Sequence, residues 1–287
     1  MASLKEVKGR IASVNNTRKI TSAMKMVASA KLHKAQAAIE SMLPYERRLH
    51  HILTDFMSNC TEVTSPFIVK REVKKVAVVV FASNTSLCGG FNANVIRHLV
   101  DLLAEYKPLG LENILVFPVG KKVADAVRKL GFRIEGDFQH MADNPSYQEA
   151  ADLAADLMKR FLHGDVDKVE LLYNHFKSTA SQILTRETYL PIDLNNEKKE
   201  EERTIDYILE PSAEELMQEM LPKVLRMKMF TVLLDSNAAE HAARTMAMQI
   251  ATDNANELLQ ELTVMYNKCR QQSITNELLD IVGGSMA

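Results

Sequence analysis

Lys223 to Val282 contains neither glycine nor proline, and within it Glu257-Leu258-Leu259-Gln260-Glu261-Leu262 is built of strong helix formers. An interior proline costs a helix about 3 kcal/mol and a glycine about 1 kcal/mol, so the stretch is free of the usual breakers. At 1.5 Å per residue, sixty helical residues span roughly 90 Å, against a usual helix of about 11–12 residues. A helix of that length exceeds what its own domain can bury. Most of it is expected to project and meet something else.

The other end of the chain carries a matching helix. Asn15 to Leu43 is also free of breakers, and helical character reaches back to Leu4, with Gly9 the one weak point. Leu4, Val7, Ile11 and Val14 follow a 4-3 apolar spacing. Thr17, Ile20, Met24 and Ala28 continue it after a slip of one position, followed by Leu32, Ala35, Ile39 and Met42. Such a seam packs helix on helix, and a slip alters the supercoil. In the C-terminal helix the stripe is Leu216, Met220, Val224, Met227, Thr231, Leu234 and Ala238, resuming at Leu258, Leu262, Met265 and Cys269. The inner ends, near 57 and 212, both meet the intervening domain, so the two helices pair antiparallel. The C-terminal helix then overhangs by about 19 residues, roughly 28 Å.

Between the helices, the β-branched run from Lys75 to Phe81 reads as a buried strand. Helix follows at 92–106, strand at 113–119, and helices at 121–130 and 147–162. Strands at 168–177 and 182–190 are close enough to pair antiparallel. The alternation describes an open α/β sheet. The expected organisation is a shaft of 1–57 and 212–287, an α/β domain at 70–195, and a charged loop at 196–211 that returns to the shaft. The charge run at 195–203 reads as a solvated loop.

Composition narrows the function classes. The chain has 287 residues, 46% hydrophobic and 25% charged, with no apolar run of the ~20 residues a membrane span needs. It enters helix at once after Met1, with no signal core or transit segment, which points to a cytosolic chain. Three scattered cysteines, Cys60, Cys88 and Cys269, suit a reducing compartment. The net charge of −2 conceals a polarity. Up to residue 50, ten basic residues face three acidic ones; from Pro211 onward six face ten. This reads either as mutual attraction of the paired helices or as a basic face for an acidic partner. Aromatics are not interleaved with the basic residues, which speaks against nucleic acid.

No catalytic constellation emerges. Cys88-Gly89-Gly90 occupies the place of a phosphate-binding turn, yet no G-x-G-x-x-G or Walker motif is present, and the glycines serve a tight strand-to-helix turn. The eight histidines show no metal-ligand spacing. No cofactor or metal is expected. Methionines such as Met24, Met220, Met227 and Met265 lie on the shaft helices, where thioethers fill cores or suit an adaptable surface.

Two segments carry a resemblance. One runs from Ile11-Ala12-Ser13-Val14-Asn15-Asn16-Thr17-Arg18-Lys19-Ile20 through Thr21-Ser22-Ala23-Met24-Lys25-Met26-Val27-Ala28. The other includes Ala242-Ala243-Arg244-Thr245-Met246-Ala247-Met248-Gln249-Ile250-Ala251-Thr252-Asp253-Asn254-Ala255, and then Cys269-Arg270-Gln271-Gln272-Ser273-Ile274-Thr275-Asn276-Glu277-Leu278. Together with Leu87-Cys88-Gly89-Gly90-Phe91-Asn92 and Asp206-Tyr207-Ile208-Leu209-Glu210-Pro211, these resemble the gamma subunits of F-type ATP synthases, in a bacterial form. The likeness covers the whole chain.

The resemblance implies a fold of an antiparallel coiled coil plus a Rossmann-like α/β domain. It also implies a non-catalytic rotor, present as a single copy at the cytoplasmic face of the cell membrane. Its shaft would turn inside a hexamer of alpha and beta subunits, with its foot on the ring of c subunits and its α/β domain carrying epsilon. By the same resemblance, Lys19 and Met24 face the beta subunits, with Arg244 opposite them on the second helix. Arg270 and Gln271 meet a beta-subunit loop, and Ile274, Leu278, Ile281 and Val282 form a stripe for an apolar sleeve. Tyr45, Glu46, Tyr207 and Glu210 fall near the ring-contacting foot, beside a helix break at Pro44-Tyr45-Glu46. Asn84-Thr85-Ser86 departs from the family's usual Asp-Arg-Gly, and Leu209 stands where an aromatic is common. The alternative reading is a self-associating coiled-coil scaffold, against which the slipped seam argues. An ATP- or NAD-using α/β enzyme would need the phosphate loop that is missing.

Overall fold

In the computed structural model the described residues are 3–59, 65–192 and 213–285. Two helices dominate: α1, Leu4–Asn59, and α6, Ala213–Ser285, of 56 and 73 residues. At 1.5 Å per residue they reach about 84 and 110 Å. Between them lie β1 (Val76–Phe81), α2 (Phe91–Tyr106), β2 (Ile114–Val119), α3 (Lys121–Leu130), β3 (Arg133–Ile134), α4 (Gln139–Asp143), α5 (Tyr147–His163), β4 (Lys168–Ser178) and β5 (Ser181–Leu190).

The sheet order is β3-β2-β1-β4-β5, parallel except for the antiparallel β4–β5 pair. Strands β1 and β2 are buried at every position, as a sheet covered on both faces requires. Val76, Val78, Val80, Ile114 and Val116 face α2 and α3, meeting Val95, Leu99, Val123 and Val127. Ala77, Val79, Phe81, Phe117 and Leu171 face α5 and α6, meeting Leu157, Phe161, Leu221, Met229 and Leu233. Gly120 opens α3 at φ +116, where an added Cβ would fall 2.1 Å from the Ala82 carbonyl oxygen. Only glycine fits that close approach of the two strand ends.

Three expectations need correction. First, the lower part of α6 does not project. From Met217 to Met248 it carries buried residues on nearly every turn, because a segment apolar on most sides is enclosed by α1 and the domain together. Second, α1 does not break at Pro44 but continues through it to Asn59. Pro44 is exposed, so its missing N–H and its ring are accommodated on the solvent side.

Third, the α1 seam does not slip. Val7, Ile11, Val14, Arg18, Thr21, Lys25, Ala28, Leu32, Ala35, Ile39 and Met42 hold an unbroken 4-3 spacing, all buried or half-buried. Thr17 is exposed and Ile20 is 60% exposed. The apolar residue lost to a polar one: Arg18 donates to Asn256 and Thr21 bonds Thr252, and these contacts hold the register. On α6 the seam likewise uses Leu259 and Tyr266, while Leu258 and Met265 point outward.

Candidate functional site: the shaft

The polar pairs 18–256 and 21–252, and the packing of Leu32 and Ala35 on Ala242 and Ala238, give one antiparallel register. It brings Leu4 opposite about residue 270. The remaining turns of α6, to Ser285, extend alone for about 24 Å. Arg270 to Val282 is exposed at every position.

Small residues occupy many of the seam positions: Thr21, Ala28, Ala35, Ala238, Ala242, Thr252 and Ala255 are half-buried or buried, interleaved with larger ones such as Val7, Leu32 and Leu262. Large apolar side chains turn outward instead, among them Ile20, Met26, Val27, Ile250, Val264 and Met265. The exposed basic residues Lys5, Lys8, Lys19, Lys31 and Lys34 share that outer surface. Among the described residues of this upper part of α1, Arg10 pairs with Glu6 of the same helix. Electrostatic attraction still crosses the pair, as Lys31 pulls down the Glu240 carboxyl that burial raises. A shallow concavity of about 600 Å³ runs along α1 between Lys25, Met26, Ser29, Ala30, His33 and Lys34.

The expected site residues separate into groups. Arg270, Gln271, Ile274, Leu278, Ile281 and Val282 share the single-helix tip. Lys19 is exposed and Met24 half-buried on α1. Arg244 does not lie opposite them. The register sets it across from residues 29–30, roughly 16 Å along the axis from Lys19. Its guanidinium turns inward, 2.6 Å from Glu240 and 2.9 Å from the Thr85 hydroxyl. Tyr45 is exposed and Glu46 half-buried on lower α1. Tyr207, Glu210, Leu209 and the 195–203 charge run lie outside the described residues.

The sequence reading missed the charges buried beneath the shaft. Glu240 is buried, and burial pushes its carboxyl up against the opposing pull of Arg244. His241 is lowered to about 4 by burial and by the nearby Arg244 and Lys31. In the sheet, burial raises Glu170, but hydrogen bonds from Arg186, Lys168 and Tyr106 outweigh it and hold the carboxylate below its ordinary value. The Glu240–Arg244 spacing of four was the readable signal; nothing local marks that face as buried.

Among the described residues no group of three or more His, Cys, Asp or Glu could hold a metal, and no helix is long and apolar enough to cross a membrane. The glycine turn after β1 is closed by the uncharged side chains of Asn84 and Thr85. The Asn84 side chain accepts from Lys121 N–H and donates to the Gln139 carbonyl and Asp143, and Thr85 meets Arg244. The expected Asp-Arg-Gly charges are thus replaced by an amide and a hydroxyl.

A small-residue coiled coil with an unaccompanied tip, standing on an α/β domain, defines a stalk protein. The family model described as ATP synthase matches residues 3–287. Over their full lengths, the chain is 81% identical to the ATP synthase gamma chain of Phocaeicola vulgatus and 64% identical to that of Bacteroides fragilis. With that of Parabacteroides distasonis it shares 52% over 99% of both chains. The fold matches a chain of the Euglena gracilis mitochondrial ATP synthase, solved with OSCP, F1 and c-ring. That match has TM-score 0.67 and 21% identity over 99% of this chain and 93% of that one. It also matches the Tetrahymena thermophila central stalk and c-ring structure, with TM-score 0.57 and 23% identity over 81% and 99%. The chain belongs to the ATP synthase gamma chain family: it is a central-stalk subunit of the complex and not itself the catalyst.

Proposed function

We propose that this chain is the rotor that couples ion-driven rotation of the c-ring to conformational cycling of the catalytic beta subunits. The shaft turns within a hexamer of alternating alpha and beta subunits. The foot near Tyr45 and Glu46, with Tyr207 and Glu210, rests on the c-ring, and the α/β domain carries epsilon. One copy serves each complex, bound peripherally at the cytoplasmic face of the membrane. Lys19, Met24, Arg270 and Gln271 meet the hexamer, and Ile274, Leu278, Ile281 and Val282 enter an apolar sleeve. Arg244 acts from within, through α6.

The observation that carries this reading is the inverted shaft, with small residues in its seam and large apolar and basic side chains outside. An exposed apolar surface rimmed by charged residues marks an interaction face. Coupling further requires that each angle of the shaft favour a different set of beta conformations, since equal binding shifts no equilibrium. The self-associating scaffold loses its best feature, because α1 and α6 already satisfy one another's seams. The slip that argued against it is absent, but no seam remains open along 4–42.

Co-expression with alpha and beta subunits of the same source tests the proposal by native mass and ATPase assay. The expected product holds one copy of this chain per three alpha and three beta subunits and is active only in its presence. Homo-oligomers of this chain beside an active hexamer lacking it would refute the rotor.

A further inference from the structure

An open α/β sheet takes its ligand at the carboxyl ends of its strands, where the strand order reverses. Here that point lies between β1 and β4, and α6 fills it. Ala239 packs on Cys88 and Phe91 after β1. Asn237 donates to the Ala142 carbonyl at 2.8 Å. Both Asp235 carboxylate oxygens accept at the end of β4, one from His175 Nδ1 at 2.6 Å and the other from Phe176 N–H at 2.7 Å. Between the strand ends and the helix lies a cavity of about 10 Å³, lined by Phe81, Ala82, Ala142, Ser236 and Glu240 among others.

Much of the seated stretch is alanine. Ala238, Ala239, Ala242, Ala243 and Ala247 supply methyl groups on several faces. At those positions methyl groups set the angle only loosely beside the larger buried Leu233, Leu234 and His241, whereas hydrogen bonds are directional. The loop that receives it is stiff. Leu87 sits at φ 68, a conformation a leucine adopts only when its surroundings impose it, and Asn92 bonds Ser83 and Cys88 across the turn.

We infer that Asp235, supported by Asn237 and the Arg244–Thr85 contact, is a positioning residue that fixes the angular register of α6 in the sheet's crevice. The domain uses its ligand crevice as a socket for its own shaft. The consequence for coupling rests on the rotor reading: the angle at the foot reaches the hexamer-facing surface only if α6 keeps one register in the socket.

The test uses the full chain and then the assembled complex. Ala239→Cys places a second thiol in the cluster with Cys88. Diamide oxidises the pair to a disulfide and is itself reduced to the hydrazide. The rate of that crosslink reads the register in the chain alone. Asp235→Leu slows it by about tenfold, the factor a lost charged hydrogen bond carries. Asp235→Asn, whose amide oxygen still accepts from Phe176 N–H, restores it. In the complex the leucine variant pumps fewer ions per ATP hydrolysed, and the asparagine variant recovers the ratio. If Asp235→Leu does not fold, Asn237→Ala with Thr85→Val gives the same readouts. An unchanged crosslink rate overturns the inference, even with a lowered melting temperature, because Asp235 would then act on stability alone. A slowed crosslink in a chain that does not join alpha and beta subunits keeps the register assignment and removes the rotor reading.

Discussion

Arg244→Leu is expected to destabilise the chain in a way that depends on pH and that a second substitution reverses. The side chains of Arg244 and Glu240 are 13% and 6% exposed and lie 2.6 Å apart. Removing one member of a buried pair strands the other and costs about 3–5 kcal/mol. Against a total stability of about 5–15 kcal/mol this is a large fraction. The loss of the Thr85 contact adds only about 0.5–1.5 kcal/mol, which Thr85→Val measures separately. The Glu240 carboxyl is already raised from 4.5 by burial, and Arg244 is the main group holding it down. Without Arg244 it rises further. A carboxyl raised in the folded state binds its proton more tightly there than when unfolded. Stability is therefore lost as pH climbs from 4.5 through the folded value. Urea unfolding of the full chain should show Arg244→Leu more damaging at pH 8 than at pH 5. Glu240→Gln in the same chain should recover most of the pH 8 deficit. A penalty independent of pH, or one that Glu240→Gln leaves in place, would refute the argument that an uncompensated buried carboxylate is the cause.

Three other outcomes follow from the same geometry. Leu32→Ala should cost about 2–5 kcal/mol in thermal or urea unfolding, and Ile20→Ala within about 0.5 kcal/mol, because only Leu32 is buried in the seam. Glu170→Gln should destabilise at pH 7, and its deficit should shrink as pH falls below 4.5. The lowered native carboxyl contributes stability above that value and loses it on acidification, which a pH series of melting curves checks. Removing residues 274–287 should change the chain's unfolding free energy by less than about 0.5 kcal/mol, since the described side chains there are exposed. In the assembled complex the same truncation should lower ATP-driven ion pumping, if the tip turns in a sleeve.

The architecture was legible because its signals are long or repeated. Helix α3 matches its expected span of 121–130, and the strands of the sheet fall within a residue or so of the β-branched runs. Short elements left no such mark: β3 is two residues held beside β2, and α4 is one turn packed beneath α6. The seam was misread where apolar character and burial part company. Ile20 offered the more hydrophobic side chain, but Thr21 is the one buried, because its hydroxyl meets that of Thr252 and its small size suits a close seam. Periodicity scored by hydrophobicity therefore slips where the helices approach through small and hydroxyl residues. Asp235, Glu240 and His241 were invisible for a related reason. On a long helix a charged residue reads as solvated, and only the domain folded against α6 reverses that.

The two halves of the shaft thus solve opposite problems. Below Met248, α6 is covered by its own chain, and charges such as Glu240 and Arg244 must be paired because water is excluded. Above it, the seam mixes apolar residues such as Val7, Ile11 and Leu262 with the small Thr21, Thr252 and Ala255, and leaves other large apolar side chains outside. Fully burying a leucine or isoleucine contributes about 1.5–3 kcal/mol, and here Ile20, Val27, Ile250 and Val264 forgo that gain within the chain. Moving the same residues into the seam would thicken it and strengthen the isolated pair. Their outward placement gives up stability in the free chain in exchange for area that a surrounding sleeve can bury. The exposed lysines between them help keep that area soluble in the free chain. A shaft optimised for its own folding would carry Ile20 where Thr21 stands. That it does not is the physical signature of a helix pair built to be read from outside.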